Sequence, residues 1–296
     1  MKNLTMIVLG VISLLALCLV FSSFSVFADS AKGNVTIQNT APTMGTVTLL
    51  NQAGADAAIT PTVSKVVVTA SATVTDANGG ASVSNASGTL YHSSSTSAGA
   101  DDENIHITNA TCGLSGAAGT DVVVTCKFTM DFMALDGTWT ANITAVDDAS
   151  AQVSGIDPNT VNQITGIDVI EATIDYGSLQ LGANSSATVK TMTLKSQGNV
   201  VLDAQFSGDN SACTVGEIPV GNTKYGHATA SYDELATALS VDATTQAGLD
   251  LGIQGVATAD GVVSQENEYW GIKVPTSGVS GTCSNTLTVT GIISAV

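Results

Sequence analysis

The amino-acid sequence predicts an all-β fold, with two β-sandwich domains after an N-terminal export signal. Apolar and polar residues alternate with a period of two in several runs, which is the pattern of half-buried strands. Short clusters of Gly, Asn, Asp and Ser separate these runs and are typical of turns. The composition agrees, because 44% of the residues are hydrophobic and only 11% are charged. The abundant Val and Thr suit a pleated, half-buried surface.

The first 28 residues have the features of a secretory signal peptide. Lys2 precedes an almost entirely apolar or small run, residues 4–27, and Val26 and Ala28 lie where signal peptidase needs small residues. We therefore predict cleavage after Ala28 and a location outside the cell or on its surface. The run is also long enough to span a bilayer, so a retained anchor is the alternative. Contact with a membrane is expected only in that case.

The charge balance excludes nucleic acid as a partner. The chain has 8 basic residues, all of them lysines, against 25 acidic residues, for a net charge of −17. Removal of Lys2 with the signal leaves 7 − 25 = −18. A protein that binds DNA or RNA needs a basic face to neutralise phosphates. Acidity of this kind keeps a secreted protein soluble.

The first half of the mature chain contains three alternating runs, residues 66–74, 122–130 and 139–145. One face of each run carries apolar side chains, and the opposite face carries mainly Thr. We expect these apolar faces to form the core of a first sandwich at residues 30–152. Trp139 is expected in that core.

The second half has the same alternation of apolar and polar residues at residues 200–206 and 286–293. The change of composition across residues 149–163, which include Gly155, Asp157 and Pro158, is the best boundary between domains. We therefore predict a second sandwich at residues 163–296, with Trp270 in its core.

Four cysteines remain after cleavage: Cys112, Cys126, Cys213 and Cys283. An even number in an oxidising compartment predicts disulfides, and no close Cys-x-x-Cys pair suggests zinc. Three pairings are open. Pairing within each half, Cys112 with Cys126 and Cys213 with Cys283, is the most economical.

Five Asn-x-Ser/Thr sequences lie in the mature chain. They begin at Asn34, Asn85, Asn109, Asn142 and Asn184. As a set they predict N-glycans on an exported protein, although some arise by chance in so Thr-rich a chain.

No sequence signature of an enzyme occurs. The motifs of metalloproteases, serine hydrolases, phosphate-binding loops and dinucleotide sites are missing, and His92, His106 and His227 are scattered. We therefore expect no catalytic residues and no enzyme activity.

Calcium is the one metal that the sequence suggests. Asp76, Asn78, Asp101 and Asp147 are candidate ligands if their loops meet at one end of a sandwich. The spacing of an EF-hand is missing, and Asp76 and Asn78 are also ordinary turn residues. We therefore expect neither a metal nor another cofactor, with Ca²⁺ as the alternative.

Residues 29–43 contain one short strand pattern ahead of the first sandwich. It consists of Asn34, Val35, Thr36, Ile37 and Gln38, and Asn39 and Pro42 end it. A strand without a partner invites pairing with another chain. It is therefore a candidate donor strand that completes a sandwich in a neighbouring copy. A strand paired within its own domain, or a frayed terminus, is the alternative.

Several turn and strand motifs resemble those of Ig-like domains in archaeal and bacterial surface proteins. They are residues 39–43 (NTAPT), 74–79 (VTDANG) and 137–148 (GTWTANITAVDD), with residues 269–275 (YWGIKVP) in the second half. More loosely, the chain resembles subunits of donor-strand filaments such as archaeal bundling pili and the biofilm fibre protein TasA. The resemblance implies two Ig-like or jelly-roll-type sandwiches.

The same resemblance implies a structural role. The chain would be a subunit of a pilus-like surface filament or of a surface layer, and its partner would be itself in a homopolymer. The alternative is a monomeric or membrane-anchored adhesin or carbohydrate-binding protein.

Overall fold

The computed structural model describes residues 32–185, 189–255 and 264–295. The chain divides into two units, Met1–Gln38 and Asn39–Val296. The predicted signal, residues 1–28, and residues 29–31 of the predicted N-terminal strand lie outside the described ranges. No helix within those ranges has the length and apolarity to cross a membrane.

Strands β1 to β9 form the first sandwich. They are β1 (Thr43–Met44), β2 (Thr48–Leu50), β3 (Val66–Thr75), β4 (Val83–His92), β5 (His106–Asn109), β6 (Gly113–Ala118), β7 (Asp121–Met130), β8 (Gly137–Asp147) and β9 (Gln152–Val161). A 3₁₀ turn, Gly80–Ser82, precedes β4.

The strand order of this sandwich is that of an Ig-like domain. One antiparallel sheet has the order β1-β3-β7-β6, with β2 also on β3, and the other has the order β5-β4-β8-β9. In Ig nomenclature these are strands A, B, E and D facing strands C′, C, F and G. The all-β prediction is therefore confirmed.

Alternation along the strands explains the core. In β3 and β7 every second residue is buried, and the residues that alternate with them on the other face of the sheet are exposed or half-buried. Cys126, Phe128 and Trp139 lie in this core at 0–1% exposure. The indole Nε1 of Trp139 donates a hydrogen bond to the carbonyl oxygen of Leu135 at 2.8 Å. Trp139 is thus fully paired and packed, as the sequence predicts.

The first sandwich extends past the predicted end at residue 152. Strand β9 pairs with β8 over its whole length, from Gln152 to Val161. The sequence suggests a boundary here because Gly155, Asp157 and Pro158 are typical of turns. Proline is nevertheless tolerated on an edge strand, where its missing N–H need not serve the sheet. Asp157 instead accepts a hydrogen bond from the N–H of Leu49 at 2.7 Å.

Strands β10 to β20 form the second sandwich. They are β10 (Ile167–Val169), β11 (Lys190–Ser196), β12 (Leu202–Gly208), β13 (Ser211–Val215), β14 (Glu217–Ile218), β15 (Thr223–Gly226), β16 (Thr237–Ala238), β17 (Thr244–Leu251), β18 (Gln265–Ile272), β19 (Ser280–Ser284) and β20 (Leu287–Ile293). A 3₁₀ turn, Val220–Asn222, precedes β15.

Three antiparallel sheets make up this second sandwich. A five-stranded sheet has the order β10-β11-β18-β15-β16, and two three-stranded sheets have the orders β17-β12-β20 and β14-β13-β19. In the two small sheets β12 pairs with β20 and β13 pairs with β19. Because β12 leads into β13 and β19 leads into β20, these two pairs form one antiparallel ladder that runs through both sheets. Phe206, Tyr225 and Trp270 pack at the centre, with ring centroids 4.8–5.3 Å apart.

Candidate functional site

The clearest irregularity of the molecule is a free edge on the second sandwich. Strand β20 is the last strand of its sheet and pairs there with β12 alone, within the described part of the chain. Its side chains alternate between half-buried and exposed, and Ile293 is 50% exposed. An edge strand of this length presents unpaired backbone N–H and C=O groups that can template another strand.

An open groove lies between this edge and the opposite sheet, with a volume of about 750 Å³. Its walls come from the strand ends and from the segment that follows β10. They are Val169, residues 171–176, Met192, Ser211, Ile272, residues 283–287 and Val289. We call this cavity the edge groove.

The edge groove is lined by both polar and apolar side chains. Elsewhere on β20, a Cβ on Gly291 would collide with the carbonyl oxygen of Thr165, so the two segments can approach closely only because this residue is glycine. Leu287 and Val289 of β20 line the groove, and their side chains stay half-buried. These two side chains form an apolar floor that the chain itself leaves partly uncovered.

Residues 170–182 cover part of the groove without forming a strand. Ile174, Tyr176 and Leu179 are half-buried, whereas most residues between them are exposed. Gly177 and Gly182 have φ values of 73° and 74°, which interrupt the extended backbone that a strand needs. A second cavity of about 570 Å³ lies under the same segment.

Two side chains anchor this covering segment. The carboxylate of Glu171 accepts hydrogen bonds from the N–H and, at 2.9 Å, from the hydroxyl of Thr193. These bonds, the N–H bond first, hold the pKa of Glu171 below its usual value. Tyr176 places its hydroxyl in a buried position without a hydrogen-bond partner among the described residues, and burial raises its pKa.

An unusual carboxyl group is buried in the same sandwich. Glu268 in β18 is 0% exposed, and neither of its carboxyl oxygens has a hydrogen-bond partner within the described residues. Burial, with a smaller contribution from Glu266, raises the pKa of Glu268 to about 8. His227 Nδ1 lies 3.4 Å from Oε1 of Glu268. The sequence gives no sign of this group, because a Glu in a strand normally faces water.

The predicted donor-strand residues lie in the first unit of the chain. Residues 32–38 have no regular secondary structure and are exposed. Val35 is 86% exposed and Ile37 is 80% exposed. Strand exchange by this segment stays a prediction.

The four cysteines form two disulfide bonds, one within each half of the chain. Cys112 is linked to Cys126, 14 residues away, and Cys213 to Cys283, 70 residues away. The first bond ties the start of β6 to β7 within one sheet. The second joins directly opposed residues of β13 and β19, beside the edge groove.

The predicted glycosylation sites differ in exposure. Asn34 and Asn85 are exposed, whereas Asn109, Asn142 and Asn184 are half-buried. The side-chain amide of Asn109 donates to the carbonyl oxygen of Lys127 at 2.9 Å. N-glycans at these sites stay a prediction.

The predicted calcium ligands fall into two separate places. Asp76, Asn78 and Asp147 lie at one end of the first sandwich, past the last residue of β3 and at the last residue of β8. Asp101 lies in the connection from β4 to β5, 3.1 Å from His106 Nδ1. There Asp101 and Lys65 line a polar cavity of about 310 Å³. Lys65 precedes the first residue of β3, so this cavity lies at the end of the sandwich away from Asp76. No group of three or more His, Cys, Asp or Glu side chains in the described ranges is arranged to hold a metal.

The strand topology and the intrachain disulfides define a class, that of tandem β-sandwich proteins with an Ig-like first domain. No protein-family model matches the sequence, and no curated protein matches it either.

The chain is similar to several solved structures of bacterial proteins. One is the C-terminal domain of the Streptococcus agalactiae AgI/II polypeptide BspA, with 11% identity, a TM-score of 0.23, and coverage of 84% of this chain and 99% of that one. Another is the C-terminal domain of the Streptococcus pyogenes antigen I/II-family protein AspA, with 13% identity, a TM-score of 0.25, and coverage of 86% and 99%. At these identities and TM-scores, the similarities carry no argument about this chain.

Proposed function

We propose that this protein is a non-catalytic structural protein of the cell surface whose copies assemble by strand exchange. The observation that carries the proposal is the edge groove, which lies beside the free edge of strand β20 and has a partly uncovered apolar floor. The occupant is residues 34–38 of a second copy, laid along β20. The product is a homopolymer, either a filament or a surface layer.

The donor segment matches the groove in chemistry. Val35 and Ile37 alternate with polar residues, so both can face the apolar floor while Thr36 faces away. Burial of an exposed Val or Ile contributes about 1.5–3 kcal/mol, and main-chain hydrogen bonds to the edge add to it. The cost of association offsets part of this gain.

Two further features support a location outside the cell. The N-terminal sequence has the pattern of a secretory signal, and the paired cysteines are typical of oxidising compartments. The alternative, a carbohydrate-binding adhesin, gains no support from the tryptophans. Trp139 and Trp270 are both 0% exposed, so neither offers a platform for a sugar ring.

The test uses the chain beginning at Asp29, imaged by electron microscopy and sized by sedimentation. We expect filaments or sheets from this chain and monomers from a variant that lacks residues 29–38. The double variant Val35→Ser, Ile37→Ser should also stay monomeric. The matched control is Val67→Ser, Val123→Ser, which changes two exposed valines of the first sandwich.

A second test changes the acceptor groove instead of the donor segment. The substitution Val289→Lys places a charge on the floor of the groove. We expect this variant to bind no partner through its groove while its own donor segment stays intact. Mixed with wild-type chains, it should therefore terminate growing polymers. Undiminished assembly by the chain without residues 29–38 would show that the proposal is wrong.

A further inference from the structure

Two carboxylates are buried at one end of the first sandwich. Asp76 follows the last residue of β3 and is 0% exposed, and Asp147 ends β8 and is 2% exposed. Aspartate is almost never fully buried unless it is paired. The burial of two carboxylates at this one end of the sandwich therefore requires groups that compensate their negative charge.

A short chain segment links the two aspartate loops. The side-chain amide of Asn39 donates to Oδ2 of Asp147 at 2.7 Å. The N–H of the next residue, Thr40, donates to Oδ1 of Asn78 at 2.7 Å. Asn78 in turn belongs to the Asp76 turn, since its N–H donates to Oδ1 of Asp76 at 2.8 Å. The dipeptide Asn39-Thr40 thus connects a side-chain oxygen of Asp147 to the turn that contains Asp76 and Asn78.

The two carboxylates differ in how well they are satisfied. Asp147 accepts bonds from Asn39 and from the N–H groups of Ala149 and Ala151, and these bonds, that of Asn39 first, hold its pKa below the usual value. Asp76 uses only Oδ1. Its Oδ2 is buried and has no hydrogen-bond partner among the described residues.

No positive side chain compensates this charge. The ion pairs found in the described part of the chain involve neither Asp76 nor Asp147. Buried charges are ordinarily paired or coordinate a metal. A buried carboxylate oxygen without a partner, at the same end of the sandwich as a second buried carboxylate, therefore points to a cation site.

We propose that this end of the first sandwich binds Ca²⁺, with Oδ2 of Asp76 as a ligand and Asp147 as the second carboxylate. Ca²⁺ accepts six to eight oxygens in flexible geometry, so amide, backbone and water oxygens complete the shell. Asn39 and Asn78 supply amide oxygens at the same place. Zn²⁺ would require His or Cys ligands, which these four residues do not include.

The first experiment measures binding to the wild-type chain by calorimetry and by displacement of Tb³⁺ luminescence. We expect a dissociation constant of about 0.1–1 mM, the range of extracellular calcium modules. At 10 mM Ca²⁺ the melting temperature of the first sandwich should rise by about 5 °C over that in EDTA. The absence of binding up to 10 mM Ca²⁺ overturns the proposal.

The second experiment compares Asp76→Asn with wild type in both conditions. The substitution removes a charge and keeps the shape, so in EDTA the variant should be at least as stable as wild type. In 10 mM Ca²⁺ the wild type should become the more stable protein, because the variant binds at least tenfold more weakly. Asp56→Asn, on an exposed loop of the same sandwich, should respond to Ca²⁺ as the wild type does. A variant destabilised equally in EDTA and in Ca²⁺ would show that Asp76 serves only the turn.

Discussion

The two sandwiches use the same residue types, but the first is closed and the second is open. In the first, β3 pairs with β7 over ten residues without a register shift, and the core between the sheets is apolar. In the second, the sheets are short, the edge groove remains beside β20, and Glu268 is buried without a hydrogen bond. The free edge of β20 and the edge groove therefore belong to the second domain. The strand exchange proposed above depends on this open domain, whereas the first domain has no part in it.

Each sandwich carries its own spectroscopic reporter. Trp139 lies in the core of the first and Trp270 in the core of the second, and the chain has no other tryptophan. Trp139→Phe therefore leaves fluorescence that follows the second sandwich, and Trp270→Phe leaves fluorescence that follows the first. Unfolding of the two domains can be compared within one chain.

The largest expected difference between the sandwiches is in how their stability responds to a rise in pH from 4.5 to 8. The pKa of Glu268 rises from 4.5 to about 8 on folding, so the folded state holds an extra proton between these values. The contribution of Glu268 to the free energy of unfolding is therefore fully present below pH 4.5, falls between pH 4.5 and 8, and is lost above pH 8. At about 1.4 kcal/mol per pH unit, a shift of this size corresponds to a loss of about 5 kcal/mol.

Urea unfolding followed by Trp270 fluorescence measures this loss. Glu268→Gln should abolish it and should stabilise the second sandwich above pH 8. Glu266→Gln, at a partly exposed position of the same strand, is the matched control and should keep most of the loss, because Glu266 makes only the smaller contribution to the raised pKa of Glu268. An unchanged pH dependence in Glu268→Gln would assign the effect to another group.

The second-largest expected difference is in how much each disulfide stabilises its sandwich. In the chain-entropy description, a bond that closes a loop of 70 residues contributes about 4 kcal/mol and one that closes 14 residues about 3 kcal/mol. Replacement of Cys213 and Cys283 by Ala should therefore destabilise the second sandwich more than replacement of Cys112 and Cys126 destabilises the first. Denaturant unfolding of the two double variants measures both values, and the reverse order would contradict the prediction.

The smallest expected difference concerns packing. Val124 is 0% exposed in the closed core, so Val124→Ala should cost about 2 kcal/mol. Val289 lines the edge groove and is half-buried, so Val289→Ala should cost less than about 1 kcal/mol in the monomer. Equal costs would mean that the groove is closed in solution. Both values come from the same denaturant measurement.

The sequence predicts the closed sandwich better than the open one. Period-two alternation identifies the buried faces of β3, β7 and β8 residue by residue, because those strands are long and have one face in the core. Strand β9 is missed, because Gly155, Asp157 and Pro158 are locally typical of turns and only its edge position makes them acceptable.

The edge groove and the buried Glu268 have no local signature. The groove is lined by segments that are distant in the sequence, such as residues 171–176 and β20, so it depends on tertiary packing. Glu268 follows the same alternation as Trp270, but its charge makes a core position look unfavourable in the sequence. Asp76 and Asp147 are recognised as candidate ligands, whereas their burial and the orphan oxygen of Asp76 appear only in the structure.

The continuous pairing of β12–β13 with β19–β20 has a consequence for the chain under tension. A pull on the chain beyond Ile293 would open this ladder one pair at a time, beginning with Leu202 and Ile293. Opening would stop at the covalent link between Cys213 and Cys283. Only residues 284–293 could detach from the sheet, and at full extension they span about 35 Å. The disulfide therefore sets how far this strand can stretch before load passes to the rest of the second sandwich.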